Sequence, residues 1–282
     1  MSIIKFLEEF TTDNLMNTAS SRRAMFGSLG SLTKKAAVAA VPFGLATMGN
    51  KAKAATTSAA YADPTSALQL ALLLEYIEKD FYIQALDSGI LASYPKSEGV
   101  YMQISKHETA HVALLQGALG EAAFDAPPID FTVGGNFDPF GEKSDTDPMV
   151  AYGQILALAQ AFEDLGVRAY KGQATNVMSD PAILTVALQI HSVEARHASE
   201  IRRLRGLDGW ITGSERGEGM PFATQAVYVN EENTTHGGVD VTMLGMEDDS
   251  LGDPFGFDSS TQAYDETLTL DDAGEIAALF LS

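Results

Sequence analysis

The feature that most constrains this chain is a pattern of glutamates and histidines that occurs twice. The frame Gln-Ile-x-x-x-Glu-x-x-His runs from Gln103 to His111 and again from Gln189 to His197. On a helix the Glu and the His of this frame are one turn apart, so their side chains lie on one face. A carboxylate and an imidazole in that arrangement can reach a single metal ion. One such pair occurs by chance on many helices, but repetition of the whole frame indicates an internal repeat.

The repeat extends upstream of both frames. Glu75 precedes Tyr82 by seven residues, and Glu163 precedes Tyr170 by the same distance. Seven residues are almost two helical turns, so each Glu shares a helix face with its Tyr. The spacing therefore predicts two helical hairpins, each with one Glu on its first helix and a Glu-x-x-His pair on its second. The residues expected to converge are Glu75, Glu108, His111, Glu163, Glu194 and His197.

This arrangement resembles the ferritin-like superfamily. Its dinuclear carboxylate proteins take one Glu from each of two helices and a Glu-x-x-His from each of the other two. The resemblance covers roughly residues 65–206, and it extends to exported bacterial members that are similar to desiccation-related proteins. It implies an all-α fold: a ferritin-like four-helix bundle with a long crossover between its second and third helices.

Helical periodicity and capping signals locate the elements of that bundle. The predicted helices run from just after residues 63–65 to about 86, and over about 98–119, 148–174 and 181–205. Residues 121–147 are rich in Asp, Gly, Pro and Phe and are too long for a tight turn, which favours a crossover. Residues 207–282 form an irregular extension, with possible short strands at 224–230 and 239–244. A capping box at residues 269–272 predicts a terminal helix.

Residues 1–54 are typical of an export signal. Arg22 and Arg23 precede a second basic pair, a 13-residue apolar run over 36–48 and the sequence Ala52-Lys53-Ala54. That run is too short to span a bilayer. The paired arginines and weakly apolar run resemble a twin-arginine signal, with an ordinary secretory signal or a lipid-surface anchor as alternatives. We expect a bacterial periplasmic or extracellular protein, with no membrane segment in its mature form, comprising a bundle over 55–206 and an extension over 207–282.

Charge and cysteine content exclude several functions. The formal net charge is −20, which argues against nucleic acid as a partner. The chain has no Cys, so disulfides, thiolate metal ligands and Cys nucleophiles are excluded.

The predicted ligand set has its own electrostatic requirement. Four carboxylates buried together without compensation would be costly and would take up protons instead. Two divalent cations balance four negative charges, and oxygen and imidazole ligands suit Fe or Mn. The sequence therefore predicts two divalent ions, Fe or Mn, as cofactors.

Four neighbouring residues are each compatible with more than one role. Glu78 lies one turn after Glu75 and competes with it as the ligand of the first helix, but only Glu75 has a counterpart in the repeat. Tyr82 and Tyr170 either hydrogen-bond the ligands, carry a radical, or only pack in the core. His191 lies one turn before Glu194 and either supports the ligands or is structural.

Two classes of function remain compatible with the sequence. One is a redox enzyme that reacts with oxygen or peroxide as an oxidase, a ferroxidase or a catalase-like protein, which the resemblance implies. The other is a non-catalytic stress or desiccation-related protein that its metals stabilise. Expected partners are small oxygen species or metal ions, and the expected state is a monomer or small homo-oligomer. The fold alone does not decide whether the protein is an enzyme.

Overall fold

Four long helices form the centre of the fold. The computed structural model describes residues 64–243, without the Met243 side chain, and residues 256–282. The long helices are α1 (Pro64–Asp87), α2 (Pro95–Leu119), α3 (Pro148–Gln173) and α4 (Pro181–Leu204). Helix α1 packs along α2, α3 packs along α4, and contacts between α1 and α3 join the two hairpins. The predicted all-α bundle is confirmed. The predicted export signal lies outside the described residues.

Side-chain caps and prolines explain where α3 and α4 begin. Asp147 accepts a hydrogen bond from the Met149 amide at 2.8 Å, directly before the first helical proline of α3. Asp180 accepts one from the Ala182 amide at 2.9 Å at the start of α4. Such caps satisfy amides that have no partner inside the helix, and proline at the first helical position loses no hydrogen bond.

A cluster of aromatic rings joins the bundle to the segments outside it. Phe81 of α1 contacts Phe162 of α3, with 5.1 Å between ring centroids. Phe131 of the crossover lies 5.3 Å from Phe81, and Phe280 of the extension lies 4.7 Å from Phe162. The Asp130 amide also donates to the Phe280 carbonyl at 2.8 Å. The crossover and the end of the extension therefore complete the same core.

The C-terminal extension is bound tightly to α3. Arg168 is fully buried and pairs with Glu231 at 2.7 Å, and it donates to the carbonyls of Val227 and Glu266. Four residues further along α3 the chain has Gly172, and a Cβ atom there would lie 1.9 Å from the Leu268 carbonyl oxygen. Only glycine allows the extension to pass this close to the helix.

A second buried ion pair connects the extension to both α3 and α4. The Arg202 guanidinium binds both oxygens of Asp164, at 3.1 and 2.6 Å. The Tyr228 hydroxyl donates to the same carboxylate at 2.7 Å. These contacts hold the extension over the outer side of the third helix.

The prediction for residues 224–230 was wrong. The structure has a 3-10 helix over Phe222–Tyr228 in place of a strand, because the Thr224 hydroxyl and amide both bond the Pro221 carbonyl and close a turn. The segment 239–244 is a strand in part: β2 (Val239–Asp240) pairs antiparallel with β1 (Thr235–His236) and then enters a 3-10 turn.

Two short helices follow in the extension. They are α5 (Phe257–Gln262), which periodicity did not indicate, and α6 (Leu270–Ala277), which the capping box predicted. The Thr269 side chain accepts from the Asp272 amide at 3.1 Å, as a cap should. Among the described residues, no helix combines the length and the apolar character that a membrane crossing requires.

Candidate metal centre

The six residues singled out by the repeat meet inside the bundle. Each of the four long helices contributes one of the four glutamates, and α2 and α4 each add a histidine. Their ligand atoms form two groups, in each of which all atoms lie within 4.8 Å of one another. The groups are Glu75, Glu108, His111 and Glu194, and Glu108, Glu163, Glu194 and His197. Glu108 and Glu194 belong to both, so the two groups are joined by shared carboxylates.

The first histidine sits among three carboxylates. The Nδ1 atom of His111 lies 2.9 Å from Glu108 Oε2, 3.1 Å from Glu75 Oε2 and 3.3 Å from Glu194 Oε1. The glutamate side chains are completely buried, while the His111 side chain keeps 12% exposure. This end of the centre is therefore the one nearer to solvent.

The second histidine occupies the equivalent place in the other group. The Nδ1 atom of His197 lies 3.0 Å from Glu108 Oε1 and 3.2 Å from Glu163 Oε2. Glu108 thus presents one oxygen to each histidine. Both histidines face the carboxylates with the same ring nitrogen, as the repeat would require.

Several buried atoms of the centre have no hydrogen bond within the described part of the chain. They are Glu108 Oε1, Glu163 Oε2, both carboxylate oxygens of Glu194, and His197 Nδ1. Buried polar atoms in proteins are normally paired, so a group of unpaired ligand atoms that point at one another needs an explanation. Cations between these atoms would provide it. The donor set of carboxylate oxygens and imidazole nitrogens fits Fe or Mn.

The raised pKa values of the two histidines show that the buried carboxylates repel one another strongly when no cation is bound. Burial alone would lower the pKa of His111, but contacts with Glu108 and two further carboxylates raise it to about 12. Burial would also lower the pKa of His197, which the charge of Glu163 and the nearby Glu108 raise to about 11. In this electrostatic environment both imidazoles hold protons at neutral pH, and metal ions would replace those protons.

The carboxylates share the remaining protons. Burial and the neighbouring charge of Glu108 raise the pKa of Glu75 to about 8. Burial likewise raises the pKa of Glu194 well above its usual value. Burial also acts to raise the pKa of Glu108, but hydrogen bonding from His111 and the adjacent His197 lowers it to about 2. The glutamate shared by both histidines is therefore the one that stays ionised.

The two tyrosines bond the ligands, in a crossed pattern. Tyr82 of α1 donates its hydroxyl hydrogen to Glu163 of α3. Tyr170 of α3 donates to Glu75 of α1 at 2.5 Å. Both rings are buried. Each tyrosine therefore supports the glutamate of the other hairpin, although the sequence spacing relates it to the glutamate of its own.

The structure adds a residue that the sequence analysis omitted. His107 lies about 100° around α2 from Glu108, yet its Nδ1 is 2.8 Å from Nε2 of His197 on the neighbouring helix. Its own Nε2 is 2.7 Å from Gln103, which is exposed. A partner on the outer ring nitrogen fixes the orientation of a metal-binding histidine. The signal in the sequence was its position one turn before His111.

His191 and Glu78 lie differently from each other. His191 donates from Nδ1 to the Val167 carbonyl at 3.0 Å, and within the described part of the chain it forms no hydrogen bond or ion pair with the six residues. Glu78 is buried beside the centre, although it belongs to neither group of ligand atoms.

A family-level comparison supports this assembly. The family model of a ferritin-like domain matches residues 63–207, more than half of the chain. The match spans α1 to α4 and includes every residue of the two ligand groups. Neither a curated protein nor a solved structure matches the chain.

Proposed function

The chain belongs to the ferritin-like domain family, and from this premise we propose that it is a dinuclear Fe or Mn carboxylate protein that reacts with oxygen or peroxide. The residues that would hold the ions are the six of the two ligand groups. When bound there, such ions would supply the redox chemistry for a reaction with an oxygen species.

One observation carries the proposal: the two carboxylate oxygens of Glu108 lie next to different histidines. Its Oε2 lies 2.9 Å from His111 and its Oε1 lies 3.0 Å from His197. Glu108 belongs to both ligand groups and would therefore help to hold both ions. A purely structural carboxylate would be expected to direct both oxygens to well-aligned hydrogen-bond donors, whereas Oε1 of Glu108 makes only a close contact with His197 Nδ1 that does not have hydrogen-bond geometry.

A series of hydrogen-bond contacts connects one side of the centre to the surface. His107 continues from His197 to the exposed Gln103, so the second ligand group is linked to the surface by ring nitrogens. The glutamates themselves are shielded from bulk water. This burial strengthens every electrostatic interaction within the centre.

An apolar crevice approaches the centre from another direction. Its volume is about 220 Å³, it lies between α1, α2 and α4, and its walls include Leu114, Ile183 and Ile190. Its lining also includes Tyr170, which donates to Glu75. An apolar cavity beside a residue that contacts a ligand suits a small apolar molecule such as dioxygen, which supports oxygen as a reactant.

Assembly and location are part of the same proposal. The extension covers the outer side of α3 through Arg168 and Gly172, and this covering favours a monomer or small symmetric oligomer over a closed storage shell. Arg22 and Arg23 support export by the twin-arginine route, in which a folded protein takes up its metals before it leaves the cytoplasm.

The test is metal loading followed by reaction. Anaerobic titration of the metal-free protein with Fe²⁺ or Mn²⁺ should give two ions per chain, and the loaded protein should consume dioxygen or peroxide. The double variant Glu108→Ala/Glu194→Ala should bind neither ion, whereas the exposed Glu121→Ala should behave as wild type. Two ions in the double variant would contradict the assignment. Two ions in the wild type without reaction towards either oxidant would contradict the redox function but leave the metal centre.

Light scattering of the loaded protein tests the assembly, because a cage-sized particle holding hundreds of iron atoms would restore iron storage.

A further inference from the structure

A fifth buried glutamate lies beside the two ligand groups. Glu78 follows Glu75 by one turn of α1 and keeps only 2% exposure. Its Oε2 atom makes no hydrogen bond within the described residues. A glutamate kept for structure would be paired, and one kept for solubility would face water. Glu78 does neither.

The internal repeat shows how the fold makes room for it. Glu78 lies three residues after Glu75, and the residue three after Glu163 is Gly166. A Cβ atom on Gly166 would lie 3.1 Å from Glu78 Oε1 and 3.2 Å from Glu194 Oε2. Both distances are shorter than ordinary carbon contacts. The two halves of the site therefore differ here: α1 has an extra carboxylate, and α3 has no side chain at the corresponding place.

Because of this difference, Glu78 lies next to Glu194, the proposed ligand that lacks the most hydrogen bonds. Both oxygens of Glu194 lack hydrogen bonds, and one of them faces the same small space above Gly166 as Glu78 Oε1. Two carboxylates directed at one space repel each other unless a cation or a proton lies between them. A cation bound to Glu194 would therefore be within reach of Glu78 as well.

We propose that Glu78 is a fifth carboxylate ligand, which binds the ion held by Glu194 and makes the two metal positions unequal. The proposal rests on the proposed function, because it requires the dinuclear centre to exist. Glu78 stands outside both ligand groups in this structure, so ligation requires its side chain to rotate. The unpaired Oε2 breaks no hydrogen bond when it does so. Gly166 is then the residue that keeps the path of this rotation open.

The experiment is calorimetric titration of the full-length, metal-free chain with Mn²⁺. Wild type, Glu78→Gln and Gly166→Ala are compared, and Glu121→Gln and Gly153→Ala serve as controls. Gly153 is also on α3, but a Cβ there would meet nothing within 4 Å. Glu78→Gln should weaken one of the two ions by about tenfold or more and leave the other within about twofold. Gly166→Ala should act in the same direction, because its methyl group would displace Glu78 and Glu194. Both controls should match wild type.

A spectroscopic measurement separates direct ligation from a positioning effect. The visible spectrum of the Co²⁺-loaded protein reports coordination number, so Glu78→Gln should change it if an oxygen ligand is lost. Two Mn²⁺ ions at wild-type affinity in Glu78→Gln, with an unchanged Co²⁺ spectrum, would overturn this inference and leave the dinuclear centre intact. Fewer than two ions in the wild type would overturn the dinuclear centre and this inference with it. If Glu78→Gln does not fold, Glu78→Asp, which keeps the charge but shortens the side chain, decides by the same criteria.

Discussion

Tyr82 donates its hydroxyl hydrogen to Glu163, which lies 81 residues later in the chain and in the other half of the internal repeat. Tyr170 returns the contact by donating to Glu75 at 2.5 Å. The two hairpins are thus connected at the centre itself, and each half positions a ligand of the other.

The first prediction concerns these hydroxyls. Tyr82→Phe and Tyr170→Phe should each weaken metal binding by about tenfold, because they leave a ligand without the donor that orients it. Calorimetry with Mn²⁺ measures the change. Tyr101→Phe is the matched control, since Tyr101 is equally buried but donates to the Ile155 carbonyl. Equal affinities in all three variants would show that the two tyrosines only pack.

The second prediction concerns pH and the metal-free protein. The pKa of Glu75 is about 8 in the folded protein, compared with 4.5 for an ordinary glutamate in the unfolded chain. Between these two pH values the unfolded glutamate is ionised and the folded one is protonated, so folding takes up a proton. Its stabilising contribution is complete below pH 4.5 and is lost as pH rises towards 8. His111 and His197 have the same sign: their contributions are complete below pH 6.5 and decline as pH rises through 11 to 12.

The melting temperature of the metal-free protein should therefore fall between pH 5 and pH 8. Thermal unfolding in the presence of a chelator measures this. Metal affinity should change in the opposite direction and rise with pH, because binding displaces protons from the ligands. A metal-free protein that becomes more stable from pH 5 to pH 8 would contradict the assigned protonation.

The third prediction is a conflict between stability and metal binding. Burial raises the pKa of Glu194 well above normal, so the metal-free fold favours the protonated form of this glutamate more strongly than the unfolded chain does. Glu194→Gln resembles the protonated form and should raise the melting temperature of the metal-free protein by about 2–4 °C, or about 1 kcal/mol. The gain should be greater at pH 8 than at pH 5. The same variant should lose the stabilisation that metal gives the wild type, and exposed Glu121→Gln should change neither quantity.

The fourth prediction concerns the attachment of the extension. Arg168→Met leaves Glu231 buried without its partner and should lower the free energy of unfolding by about 3–5 kcal/mol. The double variant Arg168→Met/Glu231→Leu should recover most of that loss, because neither charge is then left buried alone. Denaturant unfolding of the four proteins of this cycle gives the coupling. Lys96→Met breaks an exposed pair with Glu200 at 3.5 Å and should cost under about 1 kcal/mol.

The fifth prediction concerns export. Replacing Arg22 and Arg23 together with lysine should leave the precursor in the cytoplasm, because the twin-arginine route reads the guanidinium pair as an address. Cell fractionation with an antibody against the folded domain measures the distribution. A matched Lys34→Arg/Lys35→Arg variant should be exported normally. Normal export of the double lysine variant would point to the general secretory route.

The metal ligands could be predicted from the sequence because the spacing of residues along a helix determines which side chains share a face. Glu194 and His197 must share a face at three residues apart, and their recurrence as Glu108 and His111 left little room for coincidence. Which tyrosine bonds which glutamate was not predictable in this way. That choice depends on the relative displacement of α1 and α3, which no spacing within one helix contains. His107 was missed for the same reason, since its partner lies on α4.

The structure of the extension was harder to predict from the sequence than that of the bundle. Residues 224–230 carry side chains that favour strands, but Pro221 places a carbonyl where Thr224 closes a turn on it. The sequence did not indicate that Arg168 is buried, because an arginine in a helix is ordinarily expected to face water. Its burial is explained by Glu231 and by backbone carbonyls of the extension, and only the folded structure brings these together.

The contact between Phe162 and Phe280 also sets an order of events during synthesis. Phe162 leaves the ribosome long before Phe280, and until the later residue arrives one side of a core aromatic ring has no cover. The four helices can be made and paired while this side is still open. A chain that stops before α6 would carry the entire metal-binding motif yet present an exposed ring to chaperones and proteases. The contact of Phe162 with Phe280 therefore leaves the core of the bundle incomplete until the segment after α6 has been made.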